Sequence, residues 1–238
     1  MTTDAYRLPP AAGVHFSGLV PNLRGAQRAL AAGCLDLVLV LSASEGHAQA
    51  NTHRSVAEGI DEAEAILALV SNTDRASLSV GIATAFVCPF DGEVPSEQVE
   101  KLVTRLSGLG INHIRLADTI GKADPQRVQH LTSILASEFP EIRFALHLHN
   151  TYGTGVANVY AGLQSGIGDF DAALGGIGGC PFAPGAAGNI ATEDIVHMCE
   201  QMGVSTGIEL TELAAPAAAL REAIGHPLDS AVSRALRW

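Results

Sequence analysis

Apolar, β-branched runs alternate along this chain with stretches whose apolar residues recur at i, i+3 and i+4. The runs at 13–20, 35–42, 79–87, 111–118, 142–149 and 170–176 read as strands. The periodic stretches between them read as helices at 22–32, 55–71, 96–106, 125–137 and 156–164. After the last run come helical patterns at 192–202 and 210–224 and a short one at 229–236. Ser55 followed by Glu58 forms a capping box, and Asp124 before Pro125 is a capping carboxylate ahead of a helix-starting proline. Gly33, Gly108, Gly166 and Gly203 each follow a helical pattern, where a left-handed cap needs no Cβ. Strand, helix, glycine, strand in repetition predicts parallel strands joined by crossover helices. The fold class expected is therefore α/β. With no linker or low-complexity tract, residues 1–238 are expected to form a single domain, with C-terminal helices from about 208.

Composition narrows the partners. The 14 Lys and Arg against 25 Asp and Glu give a formal charge of −11, which lacks the basic footprint that nucleic acid requires. An anionic substrate would need local cationic or metal help against that field. No apolar run approaches the roughly 18 residues of a membrane span, and the N-terminus lacks a secretion-signal layout. A cytoplasmic protein is the expectation. Cys34, Cys88, Cys180 and Cys199 show no zinc-knuckle spacing. Cys34 and Cys199 sit in apolar helical surroundings and read as core residues, while Cys88 ends a strand before Pro89.

The residues most suited to chemistry collect at the C-terminal ends of the strands, where parallel α/β proteins assemble their sites. Glu45 follows the second run, Asp118 ends the fourth, His147 and His149 end the fifth, and Cys180 follows the sixth. Residues i and i+2 of a strand share a face, so His147 and His149 present two imidazoles to one side. That spacing suits two ligands of one metal ion, and it equally suits two polar residues at a strand exit. Asn150 and Thr151 beside them offer supporting hydrogen bonds. Asn189 offers a hard carbonyl oxygen suited to Mg2+ or Mn2+, or serves as a turn residue after Gly188. Asp118 can bind substrate, orient a ligand or cap its turn. Glu193 and Asp194 fall in the first turn of a helix, where the dipole favours negative charge. His47 and His53 share a polar loop near the strand ends. Cys180 stands between a Gly-rich turn and Pro181, a bent backbone poorly suited to core filling.

These segments together resemble the 3-hydroxy-3-methylglutaryl-CoA lyase family of the DRE-TIM metallolyase superfamily. The resemblance is carried by HLHNTYGTGVAN (147–158) and GGIGGCPFAPGAAGNIATED (175–194). It is supported, in the same order, by LVPNLRGAQRALAAG (19–33), ASEGH (43–47), CPFDGEVP (88–95) and LADTIG (116–121). It runs from about Leu19 to about Leu210, most of the chain. Isopropylmalate and homocitrate synthases share the H-x-H-N strand but typically lack the cysteine loop. The resemblance implies a (β/α)8 TIM-barrel fold with a divalent cation, Mg2+ or Mn2+, held at its C-terminal mouth by His147, His149 and Asn189. It implies retro-Claisen cleavage of 3-hydroxy-3-methylglutaryl-CoA to acetoacetate and acetyl-CoA, with Cys180 as catalytic acid or base; Asp118, read from its strand end, is the candidate for substrate binding. Leucine breakdown is the family-level setting.

One departure accompanies it. The family opens on a strand bearing Arg-Asp-Gly, whose Asp is a metal ligand, and this sequence contains no such tripeptide. Only six strand patterns are present where a closed barrel has eight. The expectation is an N-terminally truncated barrel lacking its first two strands, through a misplaced start or a genuine loss. An open barrel exposes strand edges, so association, including a homo-oligomer, is also expected. The alternatives to the lead activity are a lyase or aldolase on a related 3-hydroxyacyl-CoA or hydroxy acid, and an inactive barrel fragment.

Overall fold

A computed structural model describes residues 14–179 and 188–238. The chain groups into two compact units, one running to Ala117 and taking in Glu138–Phe144, the other comprising Asp118–Ser137 and Ala145–Trp238. No helix among the described residues is long and apolar enough to cross a membrane.

The first unit is built on four parallel strands. The elements follow as β1 (Ser17–Val20), α1 (Leu23–Ala31), β2 (Asp36–Ser42), α2 (Glu45–Thr52), α3 (Val56–Ser71) and β3 (Ser77–Ala83). A two-residue antiparallel hairpin, β4 (Val87–Cys88) with β5 (Gly92–Glu93), precedes α4 (Ser96–Gly108) and β6 (His113–Ala117). The strands pair in the order β1-β2-β3-β6, with all seven residues of β2 in register with β3 from Asp36↔Ser77 to Ser42↔Ala83. After Ser77, β3 is buried along its whole length, as expected of a parallel strand covered on both faces. The box at the start of α3 forms as predicted: the Ser55 side chain accepts from the Glu58 N–H and Glu58 reaches back to the Ser55 N–H at 2.7 Å.

One expected strand is shortened here and one helix is added. The strand expected at 79–87 stops at Ala83, because Thr84 turns into the left-handed region at φ 54° and the chain restarts as the hairpin. Glu45 lies just beyond β2, as expected, and it also opens α2, a helix that the weakly amphipathic sequence EGHAQANT gives no period to read.

The second unit holds α5 (Pro125–Glu138), all but the last residue, and the end of β7 (Arg143–His147). It continues through α6 (Gly155–Gln164), β8 (Asp169–Asp171), a 3-10 turn (Leu174–Gly176) and α7 (Thr192–Gln201). A second 3-10 turn (Leu210–Leu213) leads to α8 (Ala214–Ile224) and α9 (Ala231–Leu236). Asp124 caps α5 as read, its Oδ1 accepting from the N–H of Gln126 and of Arg127 at 3.0 Å each. β7 and β8 are parallel neighbours with Ala145↔Asp169, Leu146↔Phe170 and His147↔Asp171 in register. α6 lies so close on this pair that a Cβ at Gly162 would come within 2.5 Å of the Leu146 side chain and 3.0 Å of the Phe170 ring. The strand expected at 170–176 is only three residues long. Gly175 and Gly176 both take positive φ, 66° and 68°, and bend the backbone out of the sheet.

Candidate metal centre and active site

Every described candidate for the metal centre lies in the second unit. His147 is the last residue of β7, and His149 lies two positions on, so the strand's alternation carries both rings to one side. Their centroids are 5.1 Å apart with planes at 71°, close enough for one ring nitrogen of each to reach a common ion. The other nitrogens are engaged. Nδ1 of His149 lies 2.7 Å from the carbonyl oxygen of Thr119, which can only accept, so Nδ1 carries the proton and Nε2 keeps its lone pair. Nδ1 of His147 lies 3.2 Å from Oδ2 of Asp171, its register partner on β8.

Burial holds the His149 pKa below the ordinary histidine value, and the neighbouring His147 adds to this. Hydrogen bonds to the Thr119 carbonyl and the Asn189 side chain oppose the shift without cancelling it. His149 is therefore neutral at pH 7, the state a metal ligand needs.

Asn189 arrives from the far side of the Gly-rich segment through an isolated antiparallel bridge to His149. Its Nδ2 donates to the Ile177 carbonyl at 2.9 Å, which fixes the amide's orientation and gives its carbonyl oxygen a set direction. Gly178, at φ 124°, permits this, since a Cβ there would collide with the Asn189 amide. The Asn150 N–H donates to the Gly188 carbonyl at 3.0 Å and the Gly188 N–H to the Gly178 carbonyl at 3.2 Å, so both ends of the segment are tied at the histidine strand.

Asp118 is wholly buried. Its Oδ1 and Oδ2 accept from the N–H groups of Lys122 and Ala123, each at 3.0 Å, and its own N–H donates to the His147 carbonyl. Burial raises its pKa to about 6, outweighing the hydrogen bonds from Ala123, Lys122 and Gly121 that pull it down. Of the three roles open to Asp118, the geometry favours the turn. The carboxylate faces its own loop, and that loop presents the Thr119 carbonyl to His149.

Cys180 lies outside the described residues. His47 is buried in the first unit, its Nδ1 2.6 Å from Ser42 Oγ, and burial holds its pKa down. His53 adopts φ 56° as the left-handed cap of α2. Cys199 is buried, as its apolar surroundings indicate, whereas Cys34 is only half-buried.

Among the described residues, no group of three or more His, Cys, Asp and Glu is arranged to hold a metal. A metal here rests on two imidazoles and one amide oxygen. That set fits a divalent cation: both histidines have Nδ1 occupied, His149 is neutral, and Asn189 adds a hard oxygen. Sequence reading missed Asp171 and Thr119. Asp171 could have been found as the acidic residue ending the strand that pairs with the histidine strand. Thr119 acts through its backbone, which leaves no mark in residue type.

Residues 16–219 match the HMGL-like family. The chain belongs to that family. It is 46% identical over 220 residues to the (R)-citramalyl-CoA lyase of Chloroflexus aurantiacus, covering 92% of this chain and 69% of that protein. It is 42% identical over 221 residues to a hydroxymethylglutaryl-CoA lyase of Bacillus subtilis, covering 92% of this chain and 73% of that one. Among solved structures, an HMG-CoA lyase from Acinetobacter baumannii in complex with coenzyme A and 3-methylmalate superposes with a TM-score of 0.90 at 41% identity. That match covers 96% of this chain and 74% of the other. The fold is thus the TIM-barrel type of the HMGL-like lyases, with six parallel strands among the described residues. As a member of the HMGL-like family the protein is a carbon–carbon lyase.

Proposed function

We propose that the protein cleaves 3-hydroxy-3-methylglutaryl-CoA to acetoacetate and acetyl-CoA, using Mg2+ or Mn2+ held by His147, His149 and Asn189. The observation that carries this reading is the pair of imidazoles 5.1 Å apart, with Asn189 bridged to His149 beside them. The family match and the relatives' names support the reaction class.

When bound, a divalent cation supplies the Lewis acidity that eases loss of the substrate's tertiary hydroxyl proton. The chain's own residues prepare that place. Thr119 orients His149, Ile177 orients the Asn189 amide, and Asp118 holds the turn that carries Thr119. Cleavage breaks the bond from the carbinol carbon to the thioester's α-carbon: the carbinol carbon becomes a ketone, the bond's electron pair goes to the acetyl-CoA enolate, and the one proton lost from the hydroxyl is balanced by one taken up at the α-carbon. Cys180 Sγ is assigned that proton transfer. Asp118 serves as a positioning residue for His149.

A second reading is favoured by the 46% identity to a citramalyl-CoA lyase. The two substrates differ by one methylene between the tertiary carbinol and the carboxylate, a difference that apolar pockets distinguish by about 10- to 200-fold. Side-by-side turnover of the two thioesters tests both readings. A kcat/KM for 3-hydroxy-3-methylglutaryl-CoA at least about 10-fold above that for citramalyl-CoA is expected, and the reverse ratio assigns the other substrate. Chelation should abolish turnover and Mg2+ or Mn2+ restore it. The Cys180→Ala variant should lose kcat by about 100-fold or more with KM little changed; full activity in that variant removes cysteine from the mechanism.

A further inference from the structure

The His147–Asp171 pair is half-exposed, 37% and 38% by side chain, so as an ion pair it contributes little to stability. Its geometry is nevertheless specific. The two residues are register partners on neighbouring parallel strands, so the sheet itself delivers the carboxylate to the ring. Oδ2 meets Nδ1 at 3.2 Å. A carboxylate can only accept from a neutral imidazole, so the contact fixes the proton on Nδ1 and leaves Nε2 as the lone-pair nitrogen. His149 reaches the same state through a backbone carbonyl. The two rings are thus set in the same tautomer by two independent acceptors on different segments.

We propose that Asp171 is a positioning residue of the metal centre, its carboxylate holding His147 as the Nδ1–H tautomer with Nε2 directed to a divalent cation. The inference rests on the reading of His147 as a metal ligand. A hydrogen-bonded carboxylate behind an imidazole fixes the ring and raises its basicity, and its removal typically weakens metal affinity by about 10- to 100-fold.

The test uses the full chain with and without Mn2+. In the metal-free protein, long-range 1H–15N correlation spectra should show His147 protonated at Nδ1. In Asp171→Ala that signature should be lost for His147 and kept for His149. Calorimetric titration with Mn2+ should show a 10- to 100-fold weaker Kd for Asp171→Ala. Asp171→Asn, whose amide oxygen still accepts from Nδ1–H, should recover most of that loss. An unchanged tautomer and Kd in Asp171→Ala overturn the inference, whatever happens to the melting temperature. Equal losses in the Ala and Asn variants with the His147 tautomer intact also overturn it, because they make Asp171 a direct ligand. Mn2+ binding to wild type that leaves the His147 signals unbroadened is a distinct failure: it removes His147 from the ligand set and this inference with it.

Discussion

At Glu193 a wholly buried carboxylate ties two distant backbone segments together. Both oxygens accept from the Gly175 N–H, at 3.0 and 2.9 Å, and Oε1 also accepts from Ser233 Oγ at 3.1 Å. Its neighbour Asp194 caps α9, accepting from Ser230 Oγ and from the N–H groups of Ala231 and Val232. The helix dipole explains why acidic residues are tolerated at this position but not why both are used as anchors. Glu193→Ala leaves a buried N–H and a hydroxyl without their acceptor, so it should cost about 3 kcal/mol in chemical denaturation. Glu193→Gln, which keeps one acceptor, should cost less, and equal losses would place the effect in packing alone. The same contrast explains what could be read of the site beforehand. His147, His149 and Asn189 stand out as candidates because ligand chemistry follows residue type and the strand period is two, and the structure brings the three together. Asp171 and the Thr119 carbonyl were not, because their roles depend on which strand lies beside which and on a backbone atom.

At the level of elements, capping chemistry and periodicity were legible and backbone reversals were not. The capping box at Ser55 and Glu58 and the carboxylate cap at Asp124 occur as the residues dictate. The break at Thr84 and the bend at Gly175 and Gly176 depend on positive φ, which a β-branched threonine does not advertise and which glycine permits without requiring. The box also makes a pH prediction. Hydrogen bonds from the Ser55 backbone and hydroxyl hold the Glu58 pKa below its ordinary 4.5 against desolvation, with a lesser contribution from the Arg54 charge. A depressed carboxylate stabilises the folded state above its unfolded pKa and loses that contribution as pH falls through the folded value. The melting-temperature advantage of wild type over Glu58→Gln should therefore be full at pH 7 and decline in acid, below the ordinary glutamate value; a gap that persists at full protonation would locate the effect outside the ionised box. Ser55→Ala should cost about 1 kcal/mol at pH 7. α6 offers a packing test: a Cβ at Gly162 would meet Leu146 and Phe170, so Gly162→Ala should cost about 2 kcal/mol despite alanine's better helix propensity.

Over the whole molecule, parallel α/β architecture followed from pattern alone, because repeated strand, helix and glycine units admit few other arrangements. Charge is the other global property, and it acts on the proposed substrate. The unit that carries the proposed metal centre has five Lys and Arg against eleven Asp and Glu, a formal charge of −6 within the chain's −11. Several of its cations are already engaged: Arg127 with Asp124 at 3.0 Å, Arg221 with the Trp238 carbonyl, and Arg234 with the Asp229 carbonyl at 2.9 Å. An acyl-CoA carries phosphates, so its approach is opposed by the protein's field at low ionic strength. Raising salt from about 0.01 M to about 0.15 M shortens the screening length from about 30 Å to about 8 Å and removes most of that opposition. The expected outcome is a KM for the acyl-CoA that falls across this range, at saturating metal, while kcat stays constant, because the chemistry proposed at the histidines is local. A KM that rises with salt would show that a basic surface around the bound thioester outweighs the global field, and would direct attention to Lys122, whose ammonium sits 5.6 Å over the Tyr152 ring on the loop that orients His149.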